Sequence, residues 1–335
     1  MSRKFLITTA LLMAVTVNKS YGDESHYSFL NLSASSHIHS LGSVNISTVE
    51  DNIMTVDQNP GLLGSEMSNQ LGLSYMHYLN SINFGEVIYT HCSGLIGAWQ
   101  ASVRFLNYGK IDSYDENGVA LGTVSPSDFV FSGGYTREFS ETIRGGFLLK
   151  TIYSSYDEYW AMALGVDIGV NYYDIDRDLS LSAVISNLGG QVKRFESEYN
   201  RLPVDFRLGW SQSFAQFPVR FSVTAFNLTK WHLPYINQGD GTINSHPKVV
   251  DNFGSNLMRH LVFGADIIPS DKFHIAVGYN YKTYTDMSGY DRNFLSGFAV
   301  GAGLKVKGFN VDVSYSHPYS GSSVLMLNLT LDFHR

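Results

Sequence analysis

The sequence predicts an all-β fold: a 14-stranded antiparallel transmembrane β-barrel with an N-terminal plug segment. Three observations carry that expectation. Apolar and polar residues alternate with period two over long segments, connections between those segments are short and long by turns, and charged side chains are scarce. Of 335 residues 44% are apolar, 14% aromatic and 16% charged, whereas a soluble domain carries about a quarter charged residues. With 31 Gly, 21 Tyr and 8 Pro, the composition suits strands that face two media. The formal charge of −7 comes without any Lys/Arg-rich run, which excludes a chain that tracks a nucleic-acid backbone. The single Cys92 excludes an internal disulfide, so stability has to come from hydrogen-bonded sheet and burial.

Residues 1–22 read as a secretory signal peptide. Arg3 and Lys4 precede an apolar run from Phe5 to Val17 that is too short to span a bilayer, and Ser20-Tyr21-Gly22 supplies small residues for cleavage after Gly22. Processing there leaves 20 basic and 30 acidic residues. Residues 23–69 fit no barrel strand and are expected to fill the lumen as a plug, with Phe29 and Leu30 among its apolar residues and Asn59-Pro60 as a turn. A lumen enclosed by fourteen strands is wide enough to need filling or to conduct.

The barrel occupies 70–335. From Trp160 to Tyr172 the even positions are Trp, Met, Leu, Val, Ile, Val and Tyr, while Ala161, Ala163, Gly165, Asp167, Gly169 and Asn171 form a small or polar face. The same division runs through Phe273 to Tyr281, Val311 to Tyr315 and Leu325 to Phe333. Strands are expected near 70–79, 83–91, 95–107, 128–139, 142–154, 158–173, 178–188, 203–215, 218–229, 257–268, 271–284, 293–306, 309–317 and 322–333. Connections after the even strands are tight, as at Ser140-Glu141 and Lys307-Gly308, while 108–127, 189–202, 230–256 and 285–292 are long. A barrel with short periplasmic turns and long surface loops sorts its connections this way. Arg144, Lys150, Asp167, Arg207, Arg220, Asp266 and Asp312 fall on the face away from lipid. Tyr153, Tyr156, Tyr172, Tyr173, Trp210, Trp231, Tyr281 and Tyr284 lie towards strand ends, where an aromatic girdle belongs.

The segment before the first strand carries a family likeness. Tyr27-Ser28-Phe29-Leu30-Asn31-Leu32-Ser33-Ala34-Ser35-Ser36-His37, Leu41-Gly42 and Gln58-Asn59-Pro60-Gly61-Leu62-Leu63-Gly64 resemble the opening of the PorV/PorQ family of Bacteroidetes outer-membrane proteins. Similar stretches continue through Leu71 to Met76, Asn107-Tyr108-Gly109, Asn187-Leu188-Gly189-Gly190 and Leu202 to Gly209, so the likeness covers essentially the whole mature chain. It implies a barrel akin to the fourteen-stranded fatty-acid transporters. It implies a non-enzymatic role in the attachment complex of type IX secretion, anchoring a PorZ-like surface protein beside a PorU-like sortase and a PorV-like barrel. That complex links cargo to anionic lipopolysaccharide in the outer membrane. Relatives tend to place an Arg just before the Leu-Gly, where this chain has Ser35-Ser36-His37-Ile38-His39. A transporter of hydrophobic small molecules is the alternative, because that fold shares the barrel and an N-terminal hatch.

No other motif displaces these readings, and none implies a cofactor. Asp174 to Asp178 resembles the start of a calcium loop, but Leu179 and Ile185 stand where such a loop needs Gly and Glu, so it reads as a solvated turn. Asp112, Asp115, Glu116 and Asn117 read as an acidic hairpin. On an extended chain His37 and His39 point the same way and join His26; they read as plug residues hydrogen-bonded in the lumen rather than as zinc ligands. Cys92 and His91 sit beside a tight turn without a nucleophile signature, and no Gly-x-Ser-x-Gly elbow occurs. The triplets that begin at Asn31, Asn45, Asn227 and Asn328 are chance glycan signals in a bacterial barrel. The partner surface is expected on the loops 189–202 and 230–256, with Arg194, Phe195, Tyr199, Trp231, Tyr235 and Ile236 as its anchors.

Overall fold

The structure is a computed structural model that describes residues 26–78, 82–93, 97–114, 120–157, 159–195, 199–214, 217–237, 248–287, 295–319 and 322–333. The expected signal peptide lies outside these residues, as do the tips of several loops. Fourteen antiparallel strands close on themselves into one barrel. They are β1 (Gln70–Tyr78), β2 (Ile82–Cys92), β3 (Ala98–Asn107), β4 (Ser127–Glu138), β5 (Ile143–Tyr156), β6 (Tyr159–Asp174) and β7 (Leu179–Lys193). They continue as β8 (Asp205–Phe214), β9 (Phe217–Ala225), β10 (Leu261–Ser270), β11 (Phe273–Asn280), β12 (Phe298–Val306), β13 (Phe309–Tyr319) and β14 (Ser322–Asp332). The ring closes through β1 and β14, with Leu73 opposite Leu329. Closure leaves no strand edge unpaired, which is what hydrocarbon requires of a spanning sheet. Among the described residues no helix is long and apolar enough to cross a membrane.

Alternation sets the two faces. On β6 Trp160, Leu164, Ile168 and Val170 point outward, while Ala161, Ala163, Gly165, Asp167, Gly169 and Asn171 are buried within. One interruption matters: the β6–β7 ladder slips between Val166 and Ile168, where Asn187 takes a φ of 57° and both Ser186 and Asn187 turn inward. The Asn187 amide donates to Asp167 Oδ1 at 2.7 Å and so satisfies the bulge.

Helices replace the loop-side ends of two expected strands, so that 257–268 begins only at Leu261 and 271–284 stops at Asn280. Asn252 caps a helix α2 (Phe253–Arg259) and Asn280 caps a helix α3 (Tyr281–Asp286), each side chain accepting an amide of the first turn. Residues 257–259 and 281–284 therefore stand above the barrel rather than in its wall. The loop after β3 folds as a hairpin of Ile111–Tyr114 with Ala120–Val124, and the loop after β9 carries a hairpin of Tyr235–Asn237 with Lys248–Val250.

Inside the barrel lies the segment that precedes β1. It forms a helix α1 (Ser36–Ser40) and short 3-10 turns at Ser28–Asn31, Ile53–Gln58, Pro60–Leu62 and Ser65–Met67. Asn59 ends one turn and caps the next, so Asn59-Pro60 is a corner. Phe29, Leu30, Ile53, Met54, Leu62 and Leu63 are all buried.

Candidate functional site

The candidate site is the contact between this luminal segment and the inner wall. Its shape comes from glycines. A Cβ on Gly278 of β11 would lie 2.0 Å from the Leu41 carbonyl carbon, and one on Gly169 of β6 would lie 2.1 Å from Asn59 Oδ1. The backbone just past α1 and the Asn59-Pro60 corner thus press directly on bare strand backbone.

Its electrostatics come from wall cations that meet plug acids. Arg104 on β3 binds Glu86 on β2 at 2.8 Å and also Asp57 of the luminal segment. Arg220 on β9 binds Asp266 on β10 at 2.9 Å and also Glu50. His37 completes that second cluster, with Nδ1 at 3.0 Å from Glu50 and Nε2 at 2.6 Å from Asp266, and its ring lies against His274 with centroids 4.2 Å apart. Burial opposes charge on His37, yet the carboxylates of Glu50 and Asp266 outweigh it and hold the imidazolium well above the ordinary 6.5. Burial likewise opposes ionised Glu50, but His37 and Arg220 hold it well below 4.5. Towards the short-turn end Lys305 meets Asp51, and Arg144 binds Glu66 at 2.6 Å. Lys150 pairs with Asp167 at 2.5 Å and Arg207 with Asp205 at 2.7 Å. Replacing one member of such a cluster strands a buried charge, so the clusters fix where the segment sits.

The segment is thus clamped by arginines on the wall that meet acids and His37 on the segment. His37 and His39 do not share a side, contrary to the extended-chain expectation. They sit two apart on α1, a spacing that turns them roughly 200° from one another, and His39 faces Ser314 at 2.9 Å and Ser316 at 3.2 Å instead. With only hydroxyls to face, His39 is lowered by burial to about 4. Among the described residues no group of His, Cys, Asp and Glu is arranged to hold a metal. Asp174 Oδ1 accepts the amides of Asp176 and Arg177, which makes that stretch a self-capped turn. The Cys92 thiol donates to the Gly64 carbonyl at 3.2 Å, and His91 Nδ1 lies 2.6 Å from Asn69 Oδ1.

The rest of the interface is apolar. One continuous cluster joins Met76, Phe84, Ile88, Leu106 and Val130 of the wall to Phe29, Leu30, Ile53, Met54, Val56, Leu62 and Met67 of the segment. Tyr78 and Ile82 extend it at the loop-bearing end and Cys92 at the short-turn end, so an apolar seam spans the height of β1 to β3. The seam is packed shut. A cavity of about 10 Å³ lies between Leu30, Arg104, Lys150 and Arg207, and one of about 30 Å³ lies between Gly42, Asn280 and Ser316; these hold a water or two.

The loop residues gather at the opposite end from the short turns. Phe195 packs on Tyr156 with centroids 5.0 Å apart, and Arg194 lies over Tyr199 at 5.1 Å. Trp231 stacks on His260 at 5.0 Å, and Arg259 lies over Tyr235 at 5.0 Å. Thr229 Oγ1 donates to the Val204 carbonyl at 2.9 Å and joins the two loops. Phe195 and Tyr235 thus face their own protein, while Tyr199, Trp231 and Ile236 stay 47%, 40% and 52% exposed. The acidic stretch 115–117 lies outside the described residues, as do 196–198 and 238–247 of the two loops.

No protein-family model and no curated protein matches the chain. Solved structures do. The toluene transporter TodX of Pseudomonas putida is 10% identical over 89% of this chain and 97% of its own, with a TM-score of 0.55. The monoaromatic hydrocarbon channel CymD is 11% identical over 92% and 99%, with a TM-score of 0.52. A Pseudomonas aeruginosa FadL homologue is 10% identical over 90% and 98%, with a TM-score of 0.50. The chain has a FadL-like outer-membrane barrel fold. At this identity the likeness is one of fold.

Proposed function

We propose that the chain is an exported outer-membrane barrel that passes small hydrophobic molecules along the seam between its plug and strands β1 to β3. The observation that carries this reading is the seam itself: a column of apolar side chains that reaches both mouths. Three of its members, Met54, Met67 and Met76, have the flexible side chains that let a packed surface re-form around different shapes. Neighbours of the same fold are described as a toluene transporter and a monoaromatic hydrocarbon channel. Uptake of a fluorescent hydrophobic amine by cells that make the barrel tests the reading. Uptake should exceed that of empty-vector cells, and Ile88→Lys, which puts a charge into the seam, should abolish the difference. Uptake at the vector level from a barrel that still shows heat-modifiable migration would count against it.

A second reading rests on a different observation, the apolar surface left on the loops. Ile236, Val249 and Phe253 are 52%, 63% and 70% exposed, more than residues meant only for water explain. In this reading the chain is PorQ-like: a non-enzymatic anchor that holds a PorZ-like surface protein, with a PorU-like sortase and a PorV-like barrel, in the type IX secretion complex that attaches cargo to lipopolysaccharide. Its likeness to the PorV/PorQ family supports this. Replacing 234–250 with a short Gly/Ser linker should then release a surface protein that otherwise co-purifies in detergent. Mass spectrometry that finds the same partner after both loops are shortened would remove this reading.

A further inference from the structure

The luminal segment starts at one mouth of the barrel and ends at the other, although it first dips to mid-wall at His37 and returns at Gly42. Its start lies at the loop-bearing mouth. Gln191 Nε2, near the end of β7, donates to the Tyr27 hydroxyl at 2.8 Å, and Arg207, near the start of β8, donates to Asn31 Oδ1 at 3.1 Å. Asn280, the last residue of β11, donates to the Gly42 carbonyl at 3.1 Å. Its end lies at the other mouth, where Glu66 binds Arg144 beside the tight turn before β5 and Gly64 accepts from Cys92 at the end of β2. Both termini of the barrel wall, Gln70 and Asp332, also sit at that short-turn end and face each other in the sheet. A segment tethered only to Gln70 needs no more than to fold upward into the lumen, yet its first described residues have crossed the full height.

We propose that the plug is a through-going strut whose exposed His26 belongs to the cell-surface face, with Tyr27 buried beneath it against Gln191. The same polypeptide ends beside Arg144 at the periplasmic mouth. The inference rests on the outward orientation of the long loops taken above.

The test uses single cysteines in a Cys92→Ser background and a membrane-impermeant maleimide on intact cells. His26→Cys, Ser65→Cys and Lys248→Cys all replace exposed side chains, and heat-modifiable migration verifies that each barrel forms. His26→Cys and Lys248→Cys should label on intact cells, and Ser65→Cys only once the outer membrane is permeabilised. Labelling of His26→Cys that requires permeabilisation, while Lys248→Cys labels freely, would overturn the strut and leave the barrel's orientation standing. Should Lys248→Cys itself label only after permeabilisation, the loops face inward and both the orientation and this inference fall.

Discussion

Gly169→Val separates the plug from the barrel that holds it. Valine is a better strand residue than glycine, so the wall itself should gain from the change. The cost falls on the plug: the new Cβ lies 2.1 Å from Asn59 Oδ1 and 3.1 Å from Pro60 Cδ. Asn59 is fully buried, its Nδ2 donates to the Ile46 carbonyl at 2.7 Å, and its Oδ1 accepts from the Gly61 amide at 2.8 Å. Moving it forfeits two hydrogen bonds at about 1 kcal/mol each, and forcing extra carbon into a filled site costs about 1–3 kcal/mol. The docked plug should therefore lose about 3–5 kcal/mol, a shift of roughly 10²- to 10⁴-fold in its equilibrium. Single-channel recording should show added openings, and limited proteolysis should cut within 26–69 while the barrel stays resistant. Gly133→Val is the control, because nothing lies within 4 Å of a Cβ there. If Gly169→Val matches wild type and this control in both assays, the Asn59-Pro60 corner is not what seats the plug.

Arg104→Leu leaves Asp57 and Glu86 buried without their cation, and should weaken docking by about 3–5 kcal/mol, read as plug cleavage at lower protease concentration. Plug retention should also depend on pH. His37, raised in the fold, contributes fully below its ordinary 6.5, and that contribution is lost as pH rises through its folded value. His39, depressed to about 4, destabilises the docked state as pH falls from 6.5 towards 4, and Glu50 adds its own loss below 4.5. Arg220, Asp266 and His274 face this cluster from the wall. Retention measured by proteolysis across pH should peak near 6.5; a monotonic profile would remove the His37 cluster as a determinant.

The wall was legible because strand pairing is periodic. Each residue's face follows from its parity, so Asp167 and Arg220 could be placed inside without knowing what they meet. The ends of strands were less so: Asn252 and Asn280 cap helices where alternation continues by chance, and a capping side chain outweighs an apolar pattern of three or four residues. Gly165 and Gly169 were legible as a small face and no more. That Gly169 receives Asn59 depends on contacts between residues 110 apart in sequence, and no local pattern encodes them. Glu50 and Asp57 went unnoticed for the same reason. The available signal was the set of inward arginines on the wall, Arg104 and Arg220 among them, which acids from a luminal segment can meet.

The ion pairs and the apolar contacts of the lumen solve different problems. A buried ion pair gains little over a well-packed apolar contact, but it is strongly destabilised by a wrong partner. Wall arginines that meet Glu50 and Asp57 therefore do more to choose the plug's register than to hold it. An apolar seam has the opposite character, since methionine and aliphatic side chains tolerate sliding and re-packing as long as area stays buried. Arg104 and Glu86 stand among the seam's own residues on β3 and β2, with the Arg104 guanidinium over Phe84, so ion pairs set the plug's place while the apolar side chains around them can re-pack. On the proposed function, passage then involves Met76, Phe84 and Ile88, and the anchors are Arg104 and Arg220. Variants of the first group should alter what passes, and variants of the second should alter whether the plug stays.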